Sequence, residues 1–301
     1  MRASGQQSAV SGQPDPGLMR ALVSAALAED RAQDDITTHA LVPADQRGRA
    51  MIVAKSEGVL AGVAVAEATF KAIDASLAWR GEKADGERIS PPDTIATIEG
   101  RLDAILRAER VALNFLAHLS GVASAAATVV ALLEGTDCRL RDTRKTTPGL
   151  RALEKYAARA GGATNHRFDL ADGVLIKDNH LAALRARLPS GADQVTEAVR
   201  LAREAISGKR IEVEVTSVDE ARRAIEAGAD ELLLDNMSLR DMKDVVRLVA
   251  KRKQRPLLEA SGGITVVSAR AVAETGVDFV SMGAITHSAP ALDLSLEVEA
   301  G

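Results

Sequence analysis

The sequence is short of several features that would point to a class of protein. Only one of its 301 residues is a cysteine, Cys138, so no disulfide can form within the chain, which fits a reducing compartment. We interpret Cys138 as a small packed hydrophobe, because it begins a short apolar strand pattern. Aromatic residues make up only 2% of the chain, so the core must be built from Ala, Val, Leu and Ile.

Signals for export or membrane insertion are also missing. The first 17 residues are rich in Ser, Gln, Gly and Pro and lack the charged start and apolar centre of a signal peptide, so we predict a disordered tail over residues 1–15. The most apolar long stretch, Val122–Leu133, is interrupted by Ser124 and Thr128 and is shorter than the ~20 residues of a membrane span. We therefore expect a cytoplasmic protein with no membrane contact.

Charge argues against one kind of partner and favours another. The formal net charge is −4, which gives no reason to expect binding to nucleic acid. Between Arg139 and Lys177, nine basic residues nevertheless stand against four acidic ones, and a local cationic field of this kind suits a small anionic ligand. The chain has no Walker or G-x-G-x-x-G motif, so no nucleotide-triphosphate or dinucleotide fold is indicated.

The pattern of the chain changes near residue 120. The first part predicts a mixed α/β domain, with a helix over Pro16–Ala28 and a long helix from Asp103 through Leu119. The β-like segments between these helices are Arg49–Ala54, Val59–Val63 and Thr94–Glu99.

The second part alternates short apolar strands with helices. Ser217 opens a capping box at one helix start, and Gly228 is placed to end that helix. Near-continuous apolar strands separated by helices are typical of a parallel sheet covered on both faces, or of a barrel. The predicted strands are Arg139–Asp142, Gly173–Lys177, Ile211–Val215, Glu231–Asp235, Leu257–Ala260 and Asp278–Met282.

Each predicted strand ends on polar or charged residues. In an α/β barrel the C-terminal strand ends form one rim, and that rim carries the active site. An open doubly wound sheet would also bring ligand groups to its strand ends, so this pattern fits both architectures. In either case, six strands direct cations, carboxylates and glycines toward one place.

Two glycine-containing segments follow the last two strands. Backbone N–H groups can approach an anion closely at glycine, and a helix N-terminus adds partial positive charge. Barrels often bind a phosphate between their last two loops, although each segment alone also fits a tight turn. We predict phosphate binding at Ser261, Gly262, Gly263, Ser281, Gly283 and His287.

Positive side chains cluster in the loops after these strands. Arginine binds carboxylate or phosphate in bidentate fashion, and lysine supplies a compact charge. A ligand that needs this many cations carries several negative charges, and the alternative is ordinary solvated surface charge. The cations are Arg144, Lys145, His166, Arg167 and Lys177.

Two carboxylates share these strand ends. Glu214 and Asp235 end neighbouring strands, and Mg²⁺ binds through one or two carboxylates together with substrate phosphates. Both residues are therefore candidate metal ligands. They also fit hydrogen bonds to ribose hydroxyls, or ion pairs with the nearby cations.

A set of motifs runs through the chain in a specific order. It begins with Asp34–Thr38 and continues through Glu109–Leu116, Ser120-Gly121, Asp142–Pro148, Asn165–Arg167, Lys177–His180, Glu212–Glu214, Leu234–Asn236, Glu259–Gly263 and Thr286–Ser288. Over roughly residues 16–298, these motifs resemble the quinolinate phosphoribosyltransferase family. Asp34 stands where that family usually has Gly, and Ala163 where a third glycine often occurs; neither departure touches a charged site.

The resemblance implies an α/β fold in two parts. A mixed α/β N-terminal domain would cover residues 16–120, joined by residues 286–301. An incomplete, roughly seven-stranded α/β barrel would cover residues 121–285. Members form homodimers or larger homo-oligomers in which the first domain of one subunit covers the barrel mouth of another, so Arg110 would reach its neighbour's site.

The resemblance also implies an activity and a role for each residue. The enzyme would join quinolinate to phosphoribosyl pyrophosphate and release carbon dioxide, in NAD biosynthesis. Lys145 would lie near the pyrophosphate, Glu214 and Asp235 would serve Mg²⁺ and the ribose, and the two glycine segments would bind the 5′-phosphate. The ligands of the quinolinate carboxylates would be Arg110, Arg144, His166, Arg167 and Lys177.

Three other functions fit parts of the pattern. A nicotinate phosphoribosyltransferase would bind a monocarboxylate and need fewer cations. A non-biosynthetic homologue, such as the relatives encoded at molybdenum loci, would share most motifs. A non-catalytic phosphosugar-binding barrel would have little need for the paired carboxylates.

Overall fold

The computed structural model describes residues 12–300, and these form two compact units. The first unit contains the described residues up to Ala127, Thr146–Gly162 and the segment from Ala284 onward. The second contains Thr128–Lys145 and Ala163–Gly283. The boundary expected near residue 120 therefore lies inside the first unit, and Thr146–Gly162, expected in the barrel domain, groups with the first unit instead.

The first unit is built on a four-stranded antiparallel sheet. Its central strands are β1 (Arg47–Ala54) and β5 (Thr94–Arg101), and its edges are β3 (Ala78–Gly81) and β12 (Leu294–Ala300). β1 pairs with β5 on one side and on the other with β12, which returns from the C-terminal end of the chain. The predicted strands at residues 49–54 and 94–99 correspond to β1 and β5, whereas the sequence pattern reveals neither edge strand.

One strand predicted in the first unit ends early, and a helix begins where that strand was expected to end. The strand expected over residues 59–63 is wrong except at Val59, which belongs to β2 (Gly58–Val59). The chain leaves the extended conformation because Gly62 has φ 100° and is the N-cap of helix α3. Strand β2 pairs with β4 (Arg88–Ile89). The helices are α1 (Pro16–Glu29), α2 (Ile36–Leu41), α3 (Val63–Ile73), α4 (Leu102–Leu133, continuing into the second unit), α5 (Arg151–Ala160) and α11 (Ala284–His287), with a 3-10 turn at Ala32–Asp34.

Aliphatic side chains dominate the core of the first unit, as the composition requires. Ile52 of β1 and Ile98 of β5 are completely buried in one cluster with Phe70 of α3 and Leu116 of α4. Burial of each such side chain stabilises the fold by roughly 1.5–3 kcal/mol. This cluster therefore holds α3 and α4 against the antiparallel sheet.

Helix α4 is longer than predicted, since it continues through the apolar stretch after Leu119. By length and composition it could cross a membrane. Half of its most apolar 18-residue window is buried inside the protein, however, as in the core helix of a globular protein. Its polar residues are also used internally, because the buried Ser120 Oγ accepts the Ala61 N–H at 3.1 Å.

Part of the predicted disordered tail is packed against α5. Residues 1–11 of that tail lie outside the described residues. Gln13 Nε2 donates to the Tyr156 hydroxyl at 2.6 Å, and Arg159 Nη2 donates to the Gly12 carbonyl oxygen at 2.7 Å. Asp15 caps α1 by accepting the Leu18 N–H at 2.8 Å. The prediction of disorder is therefore wrong for residues 12–15.

The second unit is built on a six-stranded sheet in which every pairing is parallel. All six predicted strands are present, and their ends differ from the prediction by one residue at most. In spatial order they are β6 (Arg139–Arg141), β11 (Phe279–Ser281), β10 (Leu257–Ser261), β9 (Glu231–Asp235), β8 (Ile211–Val215) and β7 (Val174–Ile176).

Helices connect these parallel strands. Ser217 caps one of them by accepting the Glu220 N–H at 3.2 Å, and Gly228 follows its end with φ 86°. Only half of the predicted capping box forms, because the Glu220 carboxylate accepts the Thr216 N–H at 2.8 Å and not that of Ser217. The connecting helices are α6 (Asp178–Arg185), α7 (Gln194–Ala205), α8 (Val218–Glu226), α9 (Leu239–Val249) and α10 (Val266–Ala273). Helices α6 to α9 pack side by side in sequence order.

The parallel sheet is strongly curved. His166 follows Thr164, which bridges to Arg141 of the edge strand β6, whereas Glu212 lies on β8, four strands away. The Thr164 segment lies beyond β6, so on a flat sheet five strand spacings would separate His166 from Glu212 by about 24 Å. His166 Nε2 nevertheless lies 2.8 Å from Glu212 Oε2. The seventh strand that the resemblance implied is present only as the Thr164 bridge, so the described sheet has six strands.

Candidate active site

The strand register places the predicted carboxylates on one face of the parallel sheet. Glu214 pairs with Leu233, two residues before Asp235 on β9, and Ser261 of β10 pairs with Asp235. Paired residues of neighbouring parallel strands point to the same side, and side chains alternate along each strand. Glu214, Asp235 and Ser261 therefore share one face at the carboxyl ends of three adjacent strands.

Lys177 and Glu214 form an ion pair at this edge. β7 ends at Ile176, and Lys177 caps helix α6 with its N–H bonded to His180 Nδ1 at 2.9 Å. Its Nζ donates to Glu214 Oε2 at 2.6 Å, and the two side chains are 43% and 12% exposed. Lys177, predicted to bind quinolinate, is thus paired with Glu214, predicted to bind the metal. The ion pair that the sequence left open for Glu214 is the arrangement found here.

The charges of two arginines interact near the same edge. Burial lowers the pKa of the Arg167 guanidinium, and the positive charge of Arg144 lowers it further. Arg167 Nη1 also donates to the Gly173 carbonyl oxygen at 3.0 Å, which holds the side chain in place. Like charges held together in this way favour the binding of an anion between them. Lys145, next to Arg144, is exposed, with its N–H bonded to Thr143 Oγ1 at 3.0 Å.

His166 is fixed by hydrogen bonds at both ring nitrogens. Nδ1 accepts the Arg167 backbone N–H at 2.7 Å, and Nε2 lies 2.8 Å from Glu212 Oε2. Burial lowers the pKa of His166, but the bond to Glu212 and the charges of Glu212 and Glu259 outweigh burial and raise it. The accepting Nδ1 argues instead for the neutral ring, and we take this geometry to place the single proton on Nε2.

A buried ionic cluster lies beneath these residues. Arg141, 7% exposed, donates from Nη1 to both Glu231 and Glu259, and its guanidinium stacks 3.5 Å from the Phe279 ring centroid. Burial raises the pKa of Glu259 to about 7, and the charge of Glu212 adds to this effect. The sheet therefore encloses charges that are paired with one another rather than with solvent.

Sequence reasoning did not assign a role to this cluster. Glu212, Glu231 and Glu259 are each at most 5% exposed, so the sheet buries three carboxylates on its inner face. The available signal is that Glu212 and Glu259 each lie inside a mostly apolar strand, and that Glu231 begins one. A charge inside such a strand is costly to bury without a partner. The pattern indicates only that a glutamate buried here needs a partner, and in the structure Arg141 on β6 is the counterion of Glu231 and Glu259.

Two groups of side chains could be considered as ligands of a metal ion, and they differ in whether their ligand atoms are already bonded to protein groups. His166, Glu212 and Glu259 bring three possible ligand atoms within 4.8 Å of one another. Glu259 is already bound by Arg141, and His166 directs its Nε2 proton at Glu212, so this group does not fit a metal site. Glu214 and Asp235 supply carboxylate oxygens near the glycine segments, which is the donor set that Mg²⁺ shares with substrate phosphates.

The first glycine segment has the backbone that anion binding uses. Gly262 and Gly263 have φ 86° and 58°, in the left-handed region that favours glycine. Thr265 then caps α10, with its side chain accepting the Ser268 N–H. The segment thus passes from a tight turn directly into a helix N-terminus.

The second glycine segment differs from its prediction in one respect. The Ser281 hydroxyl is buried, donates to the Ala260 carbonyl oxygen at 3.3 Å and also bonds to Glu259. It therefore stabilises the sheet rather than facing a loop. Gly283, two residues further on, is partly exposed.

Two predicted site residues belong to the first unit. Arg110 is exposed on α4 next to Glu109. Burial raises the pKa of Glu109 by more than the charge of Arg110 lowers it. His287 ends α11 and is also exposed, with Nδ1 lying 2.6 Å from Ser288 Oγ. Arg110 and His287 therefore belong to the first unit, whereas all the other predicted site residues belong to the second.

Comparisons with known protein families agree with the motifs. The model described as quinolinate phosphoribosyl transferase, N-terminal domain, matches residues 35–120, and that of the C-terminal domain matches residues 122–297. A probable nicotinate-nucleotide pyrophosphorylase [carboxylating] of Bacillus subtilis is 42% identical over 272 residues, which is 90% of each chain. The Homo sapiens nicotinate-nucleotide pyrophosphorylase [carboxylating] is 39% identical over 286 residues, covering 94% of this chain and 92% of its own.

Solved structures give the same result. Nicotinate-nucleotide pyrophosphorylase from Francisella tularensis matches with a TM-score of 0.88 and 36% identity, covering 98% of this chain and 100% of that one. The enzyme of the same name from Ehrlichia chaffeensis matches with a TM-score of 0.86 and 32% identity, over 96% of this chain and 100% of its own.

Proposed function

This chain belongs to the quinolinate phosphoribosyltransferase family, and we propose that its second unit joins quinolinate to phosphoribosyl pyrophosphate and releases pyrophosphate and carbon dioxide. The product is nicotinate mononucleotide, on the route to NAD. The enzyme is thus a carboxylating nicotinate-nucleotide pyrophosphorylase, a pentosyltransferase. The observation that carries this proposal is the convergence of arginines, a lysine and two carboxylates at the carboxyl end of one parallel sheet.

Quinolinate would bind at the cationic side of the site. Its two adjacent carboxylates suit Arg144 and Arg167, because the charge of Arg144 contributes to lowering the pKa of Arg167. Lys177 would turn from Glu214 to the substrate, because a carboxylate on the ring competes for the same ammonium group. His166 fixes the Arg167 backbone through its Nδ1, and we also assign it to this side of the site.

Phosphoribosyl pyrophosphate would bind at the acidic side. The N–H groups of Gly262 and Gly263, with those of the Gly283 segment, suit its 5′-phosphate. Lys145, exposed and adjacent to the arginines, suits the pyrophosphate. Glu214 and Asp235 would hold Mg²⁺ and the ribose hydroxyls. When bound, Mg²⁺ neutralises charge on the pyrophosphate group.

The bond changes explain why this site is built from fixed charges. The quinolinate ring nitrogen donates its lone pair to C1 of the ribose, and the C1–O bond breaks with its electron pair leaving on pyrophosphate. In the resulting pyridinium, the C2–carboxylate bond breaks, carbon dioxide departs, and the electron pair left on C2 takes a proton from water. No side chain is required as an acid or base to form the new bond. Orientation and preorganised charge are therefore the contributions of this chain.

Three finer features belong to the same proposal. The curvature of the sheet and the Thr164 bridge support an incomplete α/β barrel in which this segment is the seventh strand. We propose a cytoplasmic homodimer or higher homo-oligomer with shared sites, in which Arg110 of one subunit reaches the quinolinate of another. Its exposure on α4 supports this assignment.

One assay tests the proposed reaction. Pyrophosphate release from phosphoribosyl pyrophosphate is followed with quinolinate, with nicotinate or with no acceptor, each with and without Mg²⁺. Release that requires both quinolinate and Mg²⁺, with carbon dioxide formed in equal amount, supports the proposal. Release with nicotinate alone would identify a nicotinate phosphoribosyltransferase, and no release in any mixture would leave a phosphosugar-binding protein.

Shared sites are tested by mixing two inactive variants. Arg110→Ala and Lys177→Ala chains, unfolded and refolded together, should form mixed assemblies in which one site keeps both wild-type side chains. Activity should then reappear, to about a quarter of the wild-type value in a randomly mixed dimer. Confirmed mixed assemblies without activity would show that each site is built from one chain.

A further inference from the structure

Asn236, directly after Asp235, has a backbone conformation that few residues adopt. Its φ is 52°, and Arg31 is the other non-glycine with positive φ among residues 12–300. The left-handed region brings Cβ close to the next carbonyl oxygen, and asparagine tolerates it better than most side chains. Strained conformations of this kind concentrate at functional sites. Asn236 has no part in the roles assigned above.

Two hydrogen bonds explain what this conformation achieves. The Asn236 N–H donates to the Ser261 carbonyl oxygen at 2.9 Å, which ties the end of β9 to the end of β10. Its side-chain Nδ2 donates to Asp235 Oδ2 at 2.9 Å. The carboxamide therefore leaves the other carboxylate oxygen of Asp235 to meet a ligand.

The same carboxamide rests on the first glycine segment. A Cβ built on Gly262 would lie 2.5 Å from Asn236 Cγ and Oδ1 and 2.6 Å from Nδ2, well inside contact distance. Residue 262 must therefore be glycine for two reasons, its φ of 86° and the space that Asn236 fills. The Asn236 side chain thus touches both the predicted metal carboxylate and the predicted phosphate turn.

We propose that Asn236 is a positioning residue that holds Asp235 and the Gly262–Gly263 turn in one fixed arrangement for phosphoribosyl pyrophosphate. The inference rests on the proposed function of this site. Quinolinate is assigned to the other side, around Arg144 and Arg167, so its binding does not depend on Asn236. The proposal therefore predicts that substitution of Asn236 weakens the binding of phosphoribosyl pyrophosphate and leaves the binding of quinolinate unchanged.

The experiment compares three variants that distinguish the side chain from the backbone. Asn236→Ala and Asn236→Gly both remove the carboxamide, but glycine adopts φ 52° without strain and alanine does not. Arg31→Gly is the matched control, because it relieves the same φ at an exposed position of the first unit. Thermal unfolding of each variant reports the backbone effect, and steady-state kinetics with either substrate varied report the side-chain effect.

Binding is measured without turnover. Phthalate has two adjacent carboxylates but no ring nitrogen, so it occupies the quinolinate site without reacting. Calorimetric titration with phosphoribosyl pyrophosphate, with phthalate present or absent and in Mg²⁺ or EDTA, gives its affinity directly.

We expect both Asn236 variants to weaken phosphoribosyl pyrophosphate binding and raise its KM about 10-fold, as loss of a hydrogen bond to a charged group does. The KM for quinolinate and the affinity for phthalate should stay within about twofold, and Arg31→Gly should change neither. A defect in Asn236→Ala alone, or equal loss for both substrates, would overturn the inference. Wild-type protein that binds no phosphoribosyl pyrophosphate in any mixture would instead overturn the proposed function.

A double variant tests the contact with the turn. Gly262→Ala should weaken phosphoribosyl pyrophosphate binding strongly, because the new methyl group meets the carboxamide. In the Asn236→Gly background the same Gly262→Ala change should cost several-fold less, since the side chain is gone. Equal costs in both backgrounds would show that Asn236 does not support the turn.

Discussion

The two sheets of this protein differ in how much charge they bury. In the antiparallel sheet of the first unit, the buried residues of β1 and β5 are apolar except for Thr97 and the backbone of Gly100. The parallel sheet buries Arg141 and three glutamates on its inner face. An apolar face stabilises the fold by burial alone, whereas a charged face must be paired group by group. The second arrangement suits a sheet whose carboxyl end has to hold charged ligands in fixed positions.

The largest effect that separates the two sheets should come from Arg141→Met. The change leaves Glu231 and Glu259 buried without their counterion, and breaking a buried ion pair costs about 3–5 kcal/mol. Urea unfolding should show that loss, together with loss of activity. Arg200→Met is the control, because Arg200 makes its ion pairs with Glu197 and Glu204 on the surface and its removal should change stability little. Similar stability of the two variants would show that the inner cluster is not tightly paired.

The next effect should appear in activity and not in stability. Lys145→Ala removes an exposed cation from the proposed pyrophosphate site, so we expect kcat/KM to fall about 100-fold or more while the unfolding midpoint is unchanged. Lys251→Ala, an exposed lysine after α9, is the matched control and should behave as wild type. A Lys145→Ala enzyme with wild-type rates would refute the role assigned to this residue.

These two expectations also mark what the sequence could and could not predict. The six parallel strands are visible because each is a short apolar run that ends on polar residues, and Lys145 lies in a recognisable motif after one of them. The inner cluster is different. Whether Glu212 or Glu231 is buried depends on strand register and on the curvature that brings His166 across the sheet, and no local pattern encodes either.

Long-range pairing explains the other differences. Strand β12 is recognisable only through its pairing with β1, some 240 residues earlier in the chain. The Asn236 conformation depends on Ser261 and Gly262 of the next strand, so it is not a property of the local sequence either. The motifs were therefore sufficient to predict where the site lies. The contacts that position its residues could be known only from the tertiary structure.

A smaller effect should distinguish the apolar face of the first unit. Ile98 is completely buried in β5, and Ile98→Val removes one methylene from that cluster. The expected cost is about 0.5–1.5 kcal/mol of unfolding free energy, with kcat and both KM values unchanged. Denaturant unfolding and steady-state kinetics on the same preparation check this. A change in either KM would mean that the antiparallel sheet contributes to the site beyond stability.

The two sheets should also differ in how their stability responds to pH. Burial raises the pKa of Glu259 from 4.5 to about 7, so between these values the folded protein binds a proton that the unfolded chain does not. The stability contributed by that proton is fully present below about pH 4.5 and is lost as the pH rises through 7. Glu259→Gln cannot titrate. The difference in unfolding free energy, wild type minus Glu259→Gln, should therefore decrease between pH 5 and pH 7.5, as urea titrations at several pH values would show. A difference that stays flat over this range would mean that the Glu259 carboxyl group stays ionised inside the sheet.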